Sequence, residues 1–296
     1  MPHEPRSWAA DTCAPVVVRR DADQADDILL ALEAGGVVLL EGCAFELEPR
    51  ERAFMDPRIS DGKSKNVSYD AASGRLGGSS LEGEERQMLA AMIARYAVWA
   101  EALIRRLLPS YGGRLEPART SFRPRPIGGE ALSARKDDRR LHVDAFPSQP
   151  VQGRRILRVF SNVDPDGEAR VWSLGEPFEA YARRFLPDTQ TGAPLRGWLE
   201  QRLGLTRGRR TDYDRLMLAL HDRAKADEAY QANAPRRRIE FAPGDTWLVF
   251  TDAAPHAALA GKNAFEQTFL LPVESLTDEA ASPLRTLERL SGRPLV

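Results

Sequence analysis

From residue 141 onward the chain is written as short apolar runs separated by turn formers, and this spacing constrains its fold more than any other feature. The runs Leu141 to Phe146, Arg155 to Val163, Ala169 to Leu174, Thr246 to Thr251 and Gln267 to Val273 have the length of strands rather than helices. Clusters such as Asp164-Pro165-Asp166-Gly167 punctuate them, which is the texture of an antiparallel sandwich or jelly roll. Between the two sets, Pro177 to Ala234 changes period: Phe178, Tyr181 and Phe185 form one helical stripe, and Leu216 and Leu220 another. This reads as a helical insertion in a β fold.

Upstream, Gln24 to Glu33 reads as a short helix, Val37 to Leu40 as a buried strand, and residues 56–83 as loop with a short strand at Lys65 to Tyr69 and Gly-rich turns at Gly74 to Ser80. Ala118 to Arg125 alternates like a strand, and Pro124 and Pro126 end it or push it to a sheet edge. The stretch Glu84 to Leu108 carries Leu89, Ile93, Tyr96, Leu103 and Leu107 at helical spacing, and Arg95, Glu101, Arg105 and Arg106 interrupt it. It is an amphipathic helix packed on a core rather than a membrane span, for which no uninterrupted apolar run is long enough. The predicted fold class is mainly β with α additions: a double-stranded β-helix (jelly roll, cupin-like) core with flanking helices. One domain covers residues 1–296, with an N-terminal α/β support (1–117), jelly-roll strands (118–175 and 239–275), a helical insertion (176–238) and a C-terminal tail (276–296).

Charge narrows the function. With 42 basic and 43 acidic residues the net charge is −1, so no nucleic-acid partner is expected, since phosphate binding needs a basic surface. Lys63, Lys65, Lys136, Lys225 and Lys262 are the only lysines, and every other basic residue is Arg. Cys13 and Cys43 provide neither a disulfide framework nor a zinc set, and the N-terminus lacks a signal-peptide pattern. A cytoplasmic location is expected.

The chemistry concentrates on histidine, of which the chain has four: His3, His142, His221 and His256. In a strand, His142 and Asp144 share one face. His256 lies far along the chain, just past the apolar strand Trp247 to Phe250. Two imidazoles and one carboxylate with open positions suit non-heme Fe(II). His3, at the terminus, and His221, among Asp222, Arg223 and Lys225, are expected to be solvated and silent. Arg158 is a charge inside the apolar run Ile156 to Phe160; burial is costly without a partner, so it should meet an acid inside the fold. An oxygenase of this kind needs a co-substrate acid, commonly 2-oxoglutarate, whose distal carboxylate suits an Arg fork. His256 is followed only by Lys262 before Arg285, so that fork must come from another strand.

The segments His142 to Ser148, Arg154 to Phe160, Asn162 and Arg170-Val171-Trp172 together resemble the Kdo hydroxylase family. The likeness extends to Lys65 to Ser68, Ser121 to Pro124 and Pro255-His256. The resemblance implies an Fe(II)- and 2-oxoglutarate-dependent dioxygenase using O2 to hydroxylate carbon 3 of Kdo in Kdo-lipid A, giving Ko. It implies iron on His142, Asp144 and His256. Co-substrate or sugar binding falls to Arg123, Arg158, Arg170 and Trp172, with Lys65, Asn66, Arg125, Arg140 and Asn162 on the substrate side. A substrate of this kind brings anions to an Arg-lined mouth, for which Arg135, Lys136, Arg139 and Arg140 are candidates. Reversible contact with the inner membrane through Arg207, Arg209, Arg210 and Arg236 to Arg238 is expected at the cytoplasmic face. Two alternatives keep the fold but change the function: a cupin-like module that binds anionic glycolipid without redox chemistry, and a 2-oxoglutarate oxygenase of a small sugar acid.

Overall fold

The computed structural model describes residues 13–19, 25–128, 132–186 and 209–296. Its strands are β1 (Val16–Arg19), β2 (Val37–Leu40), β3 (Val67–Asp70), β4 (Arg75–Gly77), β5 (Glu116–Arg123), β6 (Arg155–Asn162), β7 (Arg170–Leu174), β8 (Arg237–Phe241), β9 (Thr246–Phe250), β10 (His256–Ala260) and β11 (Ala264–Leu271). The helices are α1 (Ala25–Glu33), α2 (Gly83–Leu107), α3 (Phe178–Phe185), α4 (Asp212–Ala226), α5 (Glu228–Asn233) and α6 (Pro283–Ser291). Eight strands form a major sheet in the order β1-β2-β9-β6-β11-β5-β3-β4, and three form a minor sheet, β10-β7-β8. Only the β1–β2 pair is parallel among these ladders. The predicted jelly-roll class is what the chain adopts.

The central strands β6, β9 and β11 are buried along their whole length, as the apolar runs require when both faces are covered. On the outer face lies α2. Its ends carry Glu84 and Glu85 in the first turn and Arg105 and Arg106 in the last, which matches the helix dipole. By length and composition alone α2 is long and apolar enough to cross a bilayer. Its apolar stripe is nevertheless taken up by the sheet: Leu89, Met92, Ile93, Tyr96, Leu103, Ile104 and Leu107 are buried. The Tyr96 ring stacks on Phe265 at 4.5 Å, and its hydroxyl donates to the Val159 carbonyl at 3.1 Å. Between the sheets, Phe160, Trp172, Phe241 and Trp247 close one end of the sandwich, with the Phe241 and Trp247 rings stacked at 3.9 Å.

Local details differ from the sequence reading. Strands β1, β2, β3 and β4 of the N-terminal part complete both ends of the major sheet; Arg75 to Gly77, read as turn, pairs with β3 as strand. Leu141 to Phe146 is extended but not a ladder strand, being bridged only at His142. The C-terminal tail folds as α6, started by the Ser282 cap, and buries Leu284 and Leu287. Helices α3, α4 and α5 lie within residues 176–238, whose last two residues, Arg237 and Arg238, already belong to β8, and Arg207 lies outside the described residues.

The turn between β9 and β10 is fixed by a buried pair, Arg155 Nε to Asp252 Oδ2 at 2.8 Å, with the guanidinium 4.0 Å over the Phe250 ring. Arg155 Nη1 and Nη2 and Asp252 Oδ1 find no hydrogen-bond partner among the described residues, so the pair is only partly compensated. Asp252→Ala should therefore cost about 3–5 kcal/mol by leaving the guanidinium buried and alone. The double variant Arg155→Met with Asp252→Leu should recover most of that loss. Urea denaturation of the three proteins checks this; equal losses in the single and double variants would contradict it.

Candidate metal centre and its cavity

The two sheets meet at the start of β10, where the His142 and His256 backbones bond to each other in both directions, at 3.1 and 2.9 Å. Asp144 N–H is held by the Thr251 carbonyl at 2.8 Å. These three backbone bonds bring residues remote in sequence to one point: a ligand atom from each of His142, Asp144 and His256 lies within 4.8 Å of the others.

Each imidazole is aimed by its far nitrogen. His142 Nδ1 lies 2.7 Å from the Arg140 carbonyl, and His256 Nδ1 lies 2.8 Å from the Ala254 carbonyl. A carbonyl only accepts, so Nδ1 carries the proton in both rings and Nε2 keeps its lone pair for a metal. Trp172 stacks on the His256 ring at 5.0 Å and fixes its plane. Burial first, then the neighbouring imidazole, hold His142 well below 6.5, and burial also lowers His256, so both are neutral ligands at physiological pH. Burial pushes Asp144 up, but Arg158 and the two imidazoles outweigh it, and the carboxyl stays ionised. Two neutral imidazoles and one carboxylate fit the donor set that a non-heme Fe(II) ion takes.

A cavity of about 530 Å³ opens above the triad. Its walls are charged in alternation. Arg158 places Nη2 3.0 Å from Asp144 Oδ2 and Nη1 2.8 Å from Glu266 Oε1, which bears out the buried pairing expected of it. Glu266 also receives Arg123. Arg123 in turn lies 3.8 Å from Asp138, which pairs with Lys65 and sits 3.5 Å from the Lys225 ammonium. Burial raises Glu266, yet Arg123 and Arg158 bring it below its ordinary value; Lys65, His142 and Arg123 do the same for Asp138. Arg170 differs. It is buried, donates Nη1 to the Gly261 carbonyl at 3.0 Å, and has no carboxylate at ion-pair distance among the described residues. Burial and the nearby Arg123 lower it to about 9.

Of the residues singled out in the sequence, His142, Asp144, His256, Arg123, Arg158, Arg170, Trp172, Lys65 and Asn66 all line this cavity. Arg125, Arg140 and Asn162 do not. Arg140 is taken up by the Lys225 carbonyl and Glu228. Asn162 is buried as a brace, donating to the Glu168 and Phe241 carbonyls and accepting from Asp164 N–H. The basic segment before the triad is largely neutralised, Arg135 by Asp222 and Arg139 by Asp137. His221 is not solvated: its ring packs edge-on against His142 at 5.2 Å, with Nδ1 2.9 Å from Asp222. His3 lies outside the described residues. The residues the sequence did not disclose are Glu266, Asp138 and Lys225. Glu266 carried a signal, since it interrupts an apolar strand just as Arg158 does.

A sequence model of the family described as 3-deoxy-D-manno-oct-2-ulosonic acid (Kdo) hydroxylase matches residues 17–294. The chain belongs to the Kdo hydroxylase family. Among solved structures it is similar to the Kdo hydroxylase KdoO, a non-heme Fe(II) alpha-ketoglutarate-dependent dioxygenase. The identity is 42%, over 95% of this chain and 97% of that one. The TM-score is 0.91 for KdoO with cobalt(II) and for KdoO with alpha-ketoglutarate and Fe(III), and 0.90 for KdoO with succinate and Fe(III). No match is found among curated proteins. The chain is a Kdo hydroxylase by family, and its His142, Asp144 and His256 form a site that could hold a metal ion.

The depressed imidazoles set an acid limit on the metal-free fold. Below about pH 6.5 the unfolded chain binds protons that folded His142 and His256 refuse, so stability falls as pH drops through that value. The lowered Asp138, Asp144 and Glu266 add a second loss toward pH 4. Urea midpoints of metal-free protein should hold from about pH 8 to 7 and decline below about pH 6.5; a flat profile down to about pH 5 would contradict this reading.

Proposed function

We propose that this chain hydroxylates carbon 3 of the Kdo sugar in Kdo-lipid A, converting Kdo to Ko with Fe(II), 2-oxoglutarate and O2, in modification of lipopolysaccharide. The observation that carries it is the meeting of His142, Asp144 and His256 on the floor of a cavity walled by arginines. Kdo and 2-oxoglutarate are both carboxylates, and the cavity holds guanidinium groups for both.

Iron(II) held here with 2-oxoglutarate supplies the oxidising power: O2 and 2-oxoglutarate become succinate, carbon dioxide and one hydroxyl group on the sugar. The protein's residues do the rest. Neutral Nε2 atoms on His142 and His256 and the Asp144 carboxylate would hold the ion at the cavity floor. Arg158 keeps Asp144 ionised and restrains its orientation through the contact between Nη2 and Oδ2. Arg170 is a buried cavity cation with no carboxylate at ion-pair distance among the described residues, and we assign it the distal carboxylate of 2-oxoglutarate. Arg123 and Lys65, already shared with Glu266 and Asp138, are placed to take the acid group of the sugar. Holding the sugar C–H against the metal is worth several kcal/mol of barrier.

For an amphiphilic substrate the protein works at the cytoplasmic face of the inner membrane by reversible contact. Arg209 is the basic residue placed for it, because Arg210, Arg236 and Arg238 spend their guanidinium groups on Pro147, Gln231 and Glu240.

Anaerobic addition of Fe(II) and 2-oxoglutarate should produce a metal-to-ligand charge-transfer band in wild-type protein and none in His142→Ala or Asp144→Ala. Mass spectrometry of Kdo-lipid A after aerobic turnover should find one added oxygen on the Kdo unit, lost in His256→Ala. Turnover that releases succinate while leaving the Kdo unit unoxidised would contradict the substrate. Arg170→Gln should raise the 2-oxoglutarate concentration needed for half the band by roughly 100-fold, the loss of a buried bidentate carboxylate pair. An unchanged titration would remove Arg170 from this role.

A further inference from the structure

The metal cavity does not end at the triad. A second hollow of about 330 Å³ adjoins it, and Lys65, Asn66, Arg119 and Ser121 line both. The sheet register explains why. Glu266 on β11 pairs with Ser121 on β5, Ser121 with Ser68 on β3, and Ser68 with Gly77 on β4. Directly opposed residues share a sheet face, so one polar row leads from the buried Glu266 at the metal cavity to the sheet edge. At about 4.8 Å per strand, Gly77 lies roughly 10 Å beyond Ser121.

The row next to it carries two arginines with Asp70 between them on β3. Arg119, two residues before Ser121 on β5, faces the same side, as does Arg75, two residues before Gly77 on β4. Both are exposed, and neither makes an ion pair or hydrogen bond among the described residues. The one carboxylate on this wall, Asp70, points its Oδ1 at the Ala72 and Ser73 amides, 3.1 Å from each, to close the β3–β4 turn. The hollow is therefore a hydroxyl-lined groove with two uncommitted guanidinium groups, continuous with a site that takes an anionic sugar.

We propose that this groove is an oxyanion subsite, holding a phosphoryl or carboxyl group carried on the glycan beside the Kdo unit that is hydroxylated. The inference rests on the glycolipid reading above. It places substrate length selection on β3, β4 and β5, away from the metal. Gly77 is the point at which it can be blocked. Its backbone does not need glycine, and a Cβ there would meet only Ser68 Oγ, at an ordinary 3.5 Å, so a side chain enters the groove without straining the strand.

The test uses Gly77→Val, which fills the groove, and Arg75→Glu, which reverses its charge. Retained Fe(II) and 2-oxoglutarate binding, read from the charge-transfer band, shows that each variant is folded with an intact metal centre. KM for Kdo-lipid A should rise roughly tenfold in both, with a smaller change in kcat. Two trimmed substrates then locate the anion: Kdo-lipid A without its phosphates, and Kdo-lipid A carrying one Kdo in place of two. Wild type and Arg75→Glu should give the same KM on one of them. Equality on the dephosphorylated substrate assigns a phosphoryl group, and equality on the single-Kdo substrate assigns a carboxylate. Wild-type KM values in both variants, or a difference that persists on both trimmed substrates, overturn the subsite while leaving the hydroxylase reading intact. A wild-type enzyme that oxidises none of these substrates overturns the hydroxylase reading first.

Discussion

Arg158 is the interaction on which the interior of this sandwich depends. Three carboxylates, Asp138, Asp144 and Glu266, line the cavity, and burying even one of them uncompensated is expensive. Arg158, centred in β6, bridges two of them with one planar fork, and Arg123 bridges the third to the same network. Cation and anion alternate from Lys225 on α4 through Asp138, Arg123, Glu266 and Arg158 to Asp144 of the candidate metal triad. Such a chain keeps Asp144 ionised before any metal arrives. It also makes the major sheet, rather than a loop, the element that orients the ligand, and sites on rigid elements hold geometry more closely.

The minor sheet contributes the complementary half. His256 begins β10, its ring lies under Trp172 of β7, and its backbone is tied to His142 in both directions. The metal centre therefore sits where the two sheets are stitched together, and the buried Arg155–Asp252 pair stiffens the turn that delivers His256 to that seam. Stability and function share residues here. The neutral imidazoles that suit iron are the same groups that weaken the metal-free fold in acid, since burial that removes their protons for the metal also penalises their protonation.

How much of this could be read from the chain depended on whether a residue contradicted its surroundings. The pair His142 and Asp144 stood two apart, His256 followed an apolar strand, and Arg158 broke an apolar run; each is conspicuous because its type is wrong for its neighbours unless it has a task. Glu266 met the same criterion, flanked by Ala264, Phe265 and Phe269, and asking which acid Arg158 meets would have found it. Asp138 and Lys225 offered no such signal, because each sits among other charged residues and only the tertiary fold removes it from solvent. His221 was misjudged for the same reason: Asp222, Arg223 and Lys225 make its surroundings look solvated, whereas α4 turns the ring inward against His142. Arg140 and Asn162 failed in the opposite sense. Their chemistry suited a substrate, but the nearest unsatisfied groups were carbonyls and a glutamate of their own fold.

The strand register carries the argument from chemistry to specificity. Because side chains alternate across each strand, the residues that contact the core helix and those that face the cavity are interleaved along β5, β6 and β11. Phe122 and Phe265 pack against the α2 side, while Ser121 and Glu266, one position away, face the metal side. A one-residue slip of β11 would put Phe265 in the cavity and bury Glu266 beneath α2, so the hydrophobic packing of Tyr96 on Phe265 also fixes the register of the catalytic face. That same register extends the polar row through β3 to β4. The outer strands thus inherit their orientation from the core, and the reach of the cavity toward the sheet edge is set by the packing of α2 as much as by the residues that line it.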